Sequence, residues 1–272
     1  KAGGIPVIAC DRIISGSDAL SYYVATDSYA TGVQQGRYII EAMGLKLDVN
    51  SKEYHLEFAA GDPDDYRERY AFNGAYDTLK PYIDAGIVIV GSGQSSFTKA
   101  ATPGGDSTAA QQRMRSIISS SYADGKILDM VVCADDDIAQ AVIKALDDYK
   151  GKNRVIVTGQ GGSTGGINAV RGKKQSMTTF LPPGEEAQVT GALGFAILCG
   201  DVTDANVIRE GNWNFTCTYD TASYDNGSGI VPSFLITPVV ITESNLKAEI
   251  IDKGYYVLNG DVLTEAGNAA DK

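Results

Sequence analysis

Between residues 54 and 198 the chain alternates short apolar runs rich in Val and Ile with longer amphipathic stretches, and that rhythm leaves few folds open. The runs at 56–60, 87–90, 127–134, 155–158 and 176–180 are too short for stable helices and are bounded by Gly, Pro, Asp or Asn, so they read as strands. Between and after them, 66–79, 108–122, 138–149 and 185–198 carry apolar residues at helical spacing, with a shorter helical stretch at 167–170. A strand, a helix and a further strand in this order demand a right-handed crossover, hence parallel sheets with helices on both faces. The expected class is α/β and doubly wound.

Two strands precede the rhythm. Ile5-Pro-Val-Ile-Ala-Cys-Asp-Arg12 is a β-branched apolar run that breaks into an acid and a base, and its character is that of a buried parallel strand. Tyr22–Thr26 is a second strand, ending at Asp27 before a helix with Val33, Tyr38, Ile39, Ala42 and Met43 near its apolar side. Beyond Cys199 the rhythm fails. Residues 200–229 are polar and rich in Gly, Asn and Asp, 230–240 is extended but broken by Pro232 and Pro238, a last helix is expected over 243–253, and 259–272 has the composition of a tail. Lys1-Ala-Gly-Gly4 has the look of a helix end with its glycine cap, as if the chain opened in mid-domain.

With 272 residues, 43% hydrophobic, the chain can bury one large core or two smaller ones. Its formal net charge of −11 speaks against a nucleic-acid partner, which requires a basic face. No apolar run reaches the length of a membrane span. The cysteines at 10, 133, 199 and 217 are too dispersed for a zinc cluster or a disulfide framework, although Cys199 and Cys217 flank a polar stretch and could pair.

Catalytic constellations are thin. His55 is the only histidine and lies inside a strand, which disfavours a nucleophile–histidine pair or a histidine metal site. Asp135-Asp136-Asp137 closes one strand and opens a helix, where acids complement the helix dipole; the alternative is recruitment of a divalent cation by an enzyme. Gly159-Gln-Gly-Gly-Ser-Thr-Gly-Gly166 follows a strand and opens a helix like a nucleotide-binding turn, but its glycine spacing differs and no acid follows at the expected distance. What remains is a series of polar residues at successive strand ends: Asp11 and Arg12, Asp27, 61–67, Asp135 and Asp136, and Gln160. In open α/β sheets ligands bind outside the carboxyl ends of the strands, so the series describes a binding crevice, with no cofactor or metal called for.

These residues carry a resemblance. Gly4-Ile-Pro-Val-Ile-Ala-Cys-Asp-Arg12, Ala59-Ala-Gly-Asp-Pro-Asp-Asp65, Phe72–Gly86, Thr108–Met114, Val157–Gln160, Val231–Val239 and Asp252–Tyr256 together resemble the type I sugar-binding proteins of ABC transporters, in the ribose, xylose and multiple-sugar class. The resemblance implies a two-lobed fold that closes about a hinge on a sugar, a first lobe lacking its opening βα units, and a monomer without enzymatic activity. Residues 1–26 and 182–236 would form that first lobe and 27–181 with 237–258 the second, leaving 259–272 as the tail. It further implies a membrane permease as partner and a periplasmic or extracellular location, a lipoprotein anchor included. The ligand-binding effector domain of a LacI-type repressor shares the fold and is the alternative, ahead of the metal-dependent enzyme.

Carried over position by position, the resemblance assigns ligand contact to Asp11, Arg12, Asp65, Tyr66, Arg67, Asp135, Asp136 and Gln160. Two positions depart from the pattern: Gly161 stands where the family often has Asp, and Leu181 where it sometimes has Lys. Loss of a carboxylate implies altered specificity, and Tyr66 with Arg67 would suit a larger or anionic carbohydrate.

Overall fold

A computed structural model describes residues 3–48, 52–123, 125–151, 153–200, 207–208 and 211–266. The chain divides into two units and passes between them at three points: residues 1–27 with 181–238, and residues 28–180 with 239–272.

In the larger unit, the expected rhythm appears as β3 (Tyr54–Ala59), α2 (Tyr66–Asp84), β4 (Val88–Val90), a short α3 (Phe97–Ala100), α4 (Ser107–Ser121), β5 (Met130–Cys133), α5 (Asp136–Leu146), β6 (Ile156–Thr158), α6 (Thr164–Arg171) and β7 (Thr178–Phe180), preceded by α1 (Ser28–Met43). Four of these strands form a parallel sheet in the order β4-β3-β5-β6. Alternate side chains serve opposite faces, as the strand period requires. Leu56, Phe58, Val88, Met130 and Val132 pack with Ile39, Phe72, Ala75 and Leu79 of α1 and α2. Ala59, Val131, Cys133 and Val157 pack with Met114, Ile117, Ile138 and Val142 of α4 and α5 on the other side. Helices α1 and α2 approach until backbones touch: a Cβ on Gly32 would lie 1.8 Å from the Ala71 carbonyl oxygen, and one on Gly74 would lie 2.1 Å from that of Tyr29.

The smaller unit holds β1 (Ile8–Cys10), β2 (Tyr22–Thr26), α7 (Glu185–Cys199), β8 (Cys217–Asp220) and β9 (Ser233–Ile236), in sheet order β1-β2-β9-β8. Here the sequence reading needs correction. β1 is shorter than expected and is not buried throughout, because among the described residues it pairs with β2 alone and is an edge strand; Ile5 lies ahead of it and is 75% exposed. β8, hidden in a stretch read as irregular, runs antiparallel to β9. The Pro-interrupted segment splits between units, β9 in this one and β10 (Val239–Ile241) antiparallel to β7 in the other. Cys217 lies in the core with Val24, Leu193 and Phe234 while Cys199 is exposed, and all four cysteines are free, so the Cys199–Cys217 pairing is not formed.

Two expectations near the carboxyl end also change. The expected helix over 243–253 is a π-helical segment, Lys247–Ile251, preceded by turns, because Asn245 ties Thr242 and Val240 back onto the strand end. The supposed tail from residue 259 carries β12 (Val262–Glu265), which pairs antiparallel with β11 (Tyr256–Asn259) and buries Leu263. Polar composition there reflects a tight Gly260-Asp261 turn, with Gly260 at φ 61°, where glycine is favoured. The helix end expected at residues 1–2, and residues 267–272, lie outside the described residues.

Candidate functional site

The strand order of the larger unit sets where a ligand can sit. From β3 the chain goes outward to β4, then returns across β3 to β5 on its other side, so the succession reverses between β3 and β5. Crossovers leave on opposite faces at such a point and open a crevice at the carboxyl ends. The loop 60–65 leads from β3 into α2, Asp135 joins β5 to α5, and Gln160 follows β6. Asp65, Tyr66, Arg67, Asp135 and Gln160 therefore share one end of one sheet.

Their local chemistry explains the choice of residue types. Asp65 is the N-cap of α2 and accepts from the Arg67 backbone N–H at 2.8 Å. It also receives the Arg67 guanidinium, Nη2 at 3.2 Å. The cation that seemed suited to an anionic carbohydrate is thus engaged by a neighbouring acid. Tyr66 is 40% exposed and stacks on Tyr70, ring centres 6.1 Å apart at 25°. Asp135 caps α5, accepting from the Ile138 N–H at 2.7 Å, and burial holds its carboxyl above the usual range. Gln160 is half-buried, and its carbonyl accepts from the Asp136 N–H at 3.0 Å.

Asp136 does not belong with them. It is 1% exposed, and its carboxylate accepts from the Ser163 N–H at 2.8 Å, Gln175 Nε2 at 2.7 Å and Thr178 Oγ1 at 2.7 Å. Burial pushes its carboxyl up to about 6 against these bonds. The expectation that Asp136 meets ligand is corrected: its acceptor capacity is spent inside the protein. The glycine-rich turn receives its explanation here as well. A Cβ on Gly166 would lie 2.0 Å from Asp136 Oδ2, and one on Gly159 would lie 2.6 Å from Oδ1. The anion seated in this turn is the protein's own carboxylate.

The divalent-cation reading of Asp135–Asp137 loses its geometry too. Asp135 caps a helix, Asp136 points into the core and Asp137 is exposed, and among the described residues no cluster of three or more His, Cys, Asp or Glu is arranged to hold a metal ion.

Three polar side chains escaped the sequence reading. Gln35 on α1 is buried and donates from Nε2 to the carbonyls of Cys133 and Gly159, at 3.2 and 3.3 Å, while accepting from Thr158 Oγ1 at 3.3 Å; it ties the ends of β5 and β6 together. Glu57, buried inside β3, accepts from the Ser92 N–H and hydroxyl and from the Tyr122 hydroxyl at 2.6–2.8 Å. An acid within an apolar strand was a legible signal. Glu68, in the first turn of α2, lies over Gly61, whose Cβ would sit 2.5 Å from Oε2. Nothing in the sequence set it apart from other exposed-looking acids of a helix.

In the smaller unit, Asp11 and Arg12 stand at the carboxyl end of β1, both exposed. Asp11 has φ 65°, a left-handed conformation that costs an L residue about 1–2 kcal/mol. It is pinned there by its N–H on the Val24 carbonyl at 2.9 Å and by the Tyr23 hydroxyl, which donates to its carbonyl at 2.8 Å. Beside it, at the end of β2, Glu186 of α7 accepts from the Thr26 N–H and hydroxyl at 3.0 and 3.1 Å.

Comparison with known proteins gives the family. The family model of the periplasmic binding protein domain matches residues 1–201. The multiple sugar-binding periplasmic protein SbpA of Azospirillum brasilense is 35% identical, over 94% of this chain and 68% of that protein. The multiple sugar-binding periplasmic receptor ChvE of Rhizobium radiobacter is 32% identical, over 93% and 68%. Among solved structures, an ABC transporter solute-binding protein from Clostridium phytofermentans with bound β-D-glucose superposes with a TM-score of 0.80 at 42% identity, covering 94% of this chain and 74% of that one. No helix of the described residues is long and apolar enough to cross a membrane. From its strand order, its strand-end polar residues and these matches, the chain belongs to the periplasmic binding protein family.

Proposed function

We propose that this protein is an extracytoplasmic receptor that captures a sugar and hands it to the membrane permease of an ABC transporter. The carrying observation is the set of polar side chains at the carboxyl ends of parallel strands, in a chain whose relatives are named for sugar binding. A carboxylate offers two acceptor oxygens and a guanidinium a planar fork of donors, the complement of vicinal hydroxyls. Asp11 and Arg12 in the smaller unit, and Asp65, Tyr66, Arg67, Asp135 and Gln160 in the larger one, are the contacts we assign. Tyr66 supplies a ring face for the apolar side of a pyranose. The periplasm, or the outer face of a membrane with a lipid anchor, is the matching location.

The test is a titration with D-glucose, the sugar in the Clostridium phytofermentans structure, alongside a melting-temperature screen of sugars and other solutes. A ligand that binds the native state raises the melting temperature by mass action. Saturable heat with glucose or another sugar supports the reading. A screen in which amino acids or peptides shift the transition and no carbohydrate does removes it.

A further inference from the structure

Glu68 is the least settled polar group at the sheet end of the larger unit. Its Oε2 is enclosed and has no hydrogen-bond partner within the protein. Its side chain reaches from α2 to the wall of a small cavity lined by Phe58, Ala59 and Ala60 of β3 and its loop, Val132 and Cys133 of β5, and Gln35 of α1. Its walls come from β3 and β5, the two strands between which the succession reverses.

The charges around Glu68 are mostly of its own sign. Asp62 and Asp65 precede it on the loop and cap of its own helix, and Asp135 faces it from the β5–α5 turn. Among the described residues the opposing charge comes from Arg67, which is paired with Asp65. From β5 comes Cys133, whose thiol burial keeps protonated, and from α1 the neutral Gln35. Burial first, and then the acids at 135, 65 and 62, push the Glu68 carboxyl up to about 8.

We propose that Glu68 is a positioning residue that links ligand capture to a proton: the neutral side chain lets Asp65 and Asp135 act as ionised acceptors for ligand hydroxyls, and its ionisation opposes binding. This rests on the assignment of Asp65 and Asp135 as ligand contacts. A ligand seated on those acids removes water from the crevice, which disfavours a third negative charge beside them still further. The bound state therefore holds the Glu68 proton to higher pH than the free state does. Affinity is then constant below the free-state value and falls as pH rises above it.

Two measurements decide the matter. The first is the dissociation constant for D-glucose between pH 6.5 and 9.5, in the native protein and in Glu68→Gln. In the native protein the constant should rise by roughly tenfold from pH 7 to 9.5, and the variant should lose that rise, read as the ratio within each protein. A flat native profile, or a variant that keeps the native rise, overturns the proposal.

The second is urea unfolding without ligand. A group whose proton is held more tightly in the folded state stabilises fully below its unfolded value and loses that contribution as pH rises through its folded value. The native protein should therefore lose stability relative to Glu68→Gln between pH 5 and pH 8. Absence of that difference overturns the proposal on its own. If the difference is present but neither protein binds glucose or any screened sugar at pH 6.5, the receptor reading fails and the proton link falls with it.

Discussion

The strand ends of the two units use acids in opposite ways. In the smaller unit, Asp11 and Arg12 are exposed and are held by backbone, with Asp11 kept left-handed by the Val24 carbonyl and the Tyr23 hydroxyl. In the larger unit, Asp65 and Asp135 are half-buried and double as helix caps, while Asp136 one residue further on is wholly internal. In the second unit, display and scaffold are interleaved. An acid at a strand end is therefore not one kind of residue, and substitutions should sort the two kinds.

The largest effect should come from Asp136→Ala. It strands three donors, the Ser163 N–H, Gln175 and Thr178, in a dry interior, which costs about 3–5 kcal/mol. Urea unfolding should show that loss, and glucose affinity, measured where the variant is still folded, should change little. Unaltered stability with abolished binding would put Asp136 back among the ligand contacts and erase the contrast between it and Asp135.

Arg12→Ala should do the reverse. A charge-assisted bond to a ligand hydroxyl is worth about 1.5–3 kcal/mol, so affinity for D-glucose should fall by roughly ten- to a hundredfold. The side chain is exposed, where even a surface pair contributes little, so the loss of stability should stay within about 1 kcal/mol. Asp11→Gly separates the two functions inside one residue. Glycine adopts φ 65° without strain, so the turn should persist on its backbone bonds while affinity drops with the lost carboxylate. A variant that loses both would mean that the carboxylate, rather than the backbone bonds, shapes this turn.

The fold was legible because it is written in periodicity, and periodicity is local. Each strand of the β4-β3-β5-β6 sheet was read near its observed place, since apolar runs buried on both faces need no partner to be recognised. β8 was not, because Cys217–Asp220 carries no such run and its strand character comes from pairing with β9. The edge position of β1 was missed for the same reason: a sequence shows that a strand is apolar but not which neighbours it has. At the site, the sequence located polar residues that the structure does place at the carboxyl ends of strands, but direction was invisible. Asp135 and Asp136 are adjacent and chemically identical, yet one caps a helix and the other enters the core against the turn at Gly159–Gly166.

Gly161 gives the smallest and most discriminating prediction. Read as sequence, it is a missing carboxylate, one substitution away from the family pattern. In the structure its φ is 108°, its N–H donates to the Thr179 carbonyl at 3.0 Å, and no atom lies within 4 Å of where a Cβ would be. Space is available but the backbone is one that side chains resist, so Gly161→Ala should cost about 1–2 kcal/mol through conformation alone. Gly166→Ala, whose Cβ would meet Asp136 at 2.0 Å, should cost distinctly more, because there the obstacle is an immovable neighbour. If Gly161→Ala costs next to nothing, the Gly161 backbone relaxes freely and an acid is readily restored there. If the two variants differ as expected, this stretch has been rebuilt around Asp136, and Gly161→Asp should lower stability by the same conformational cost.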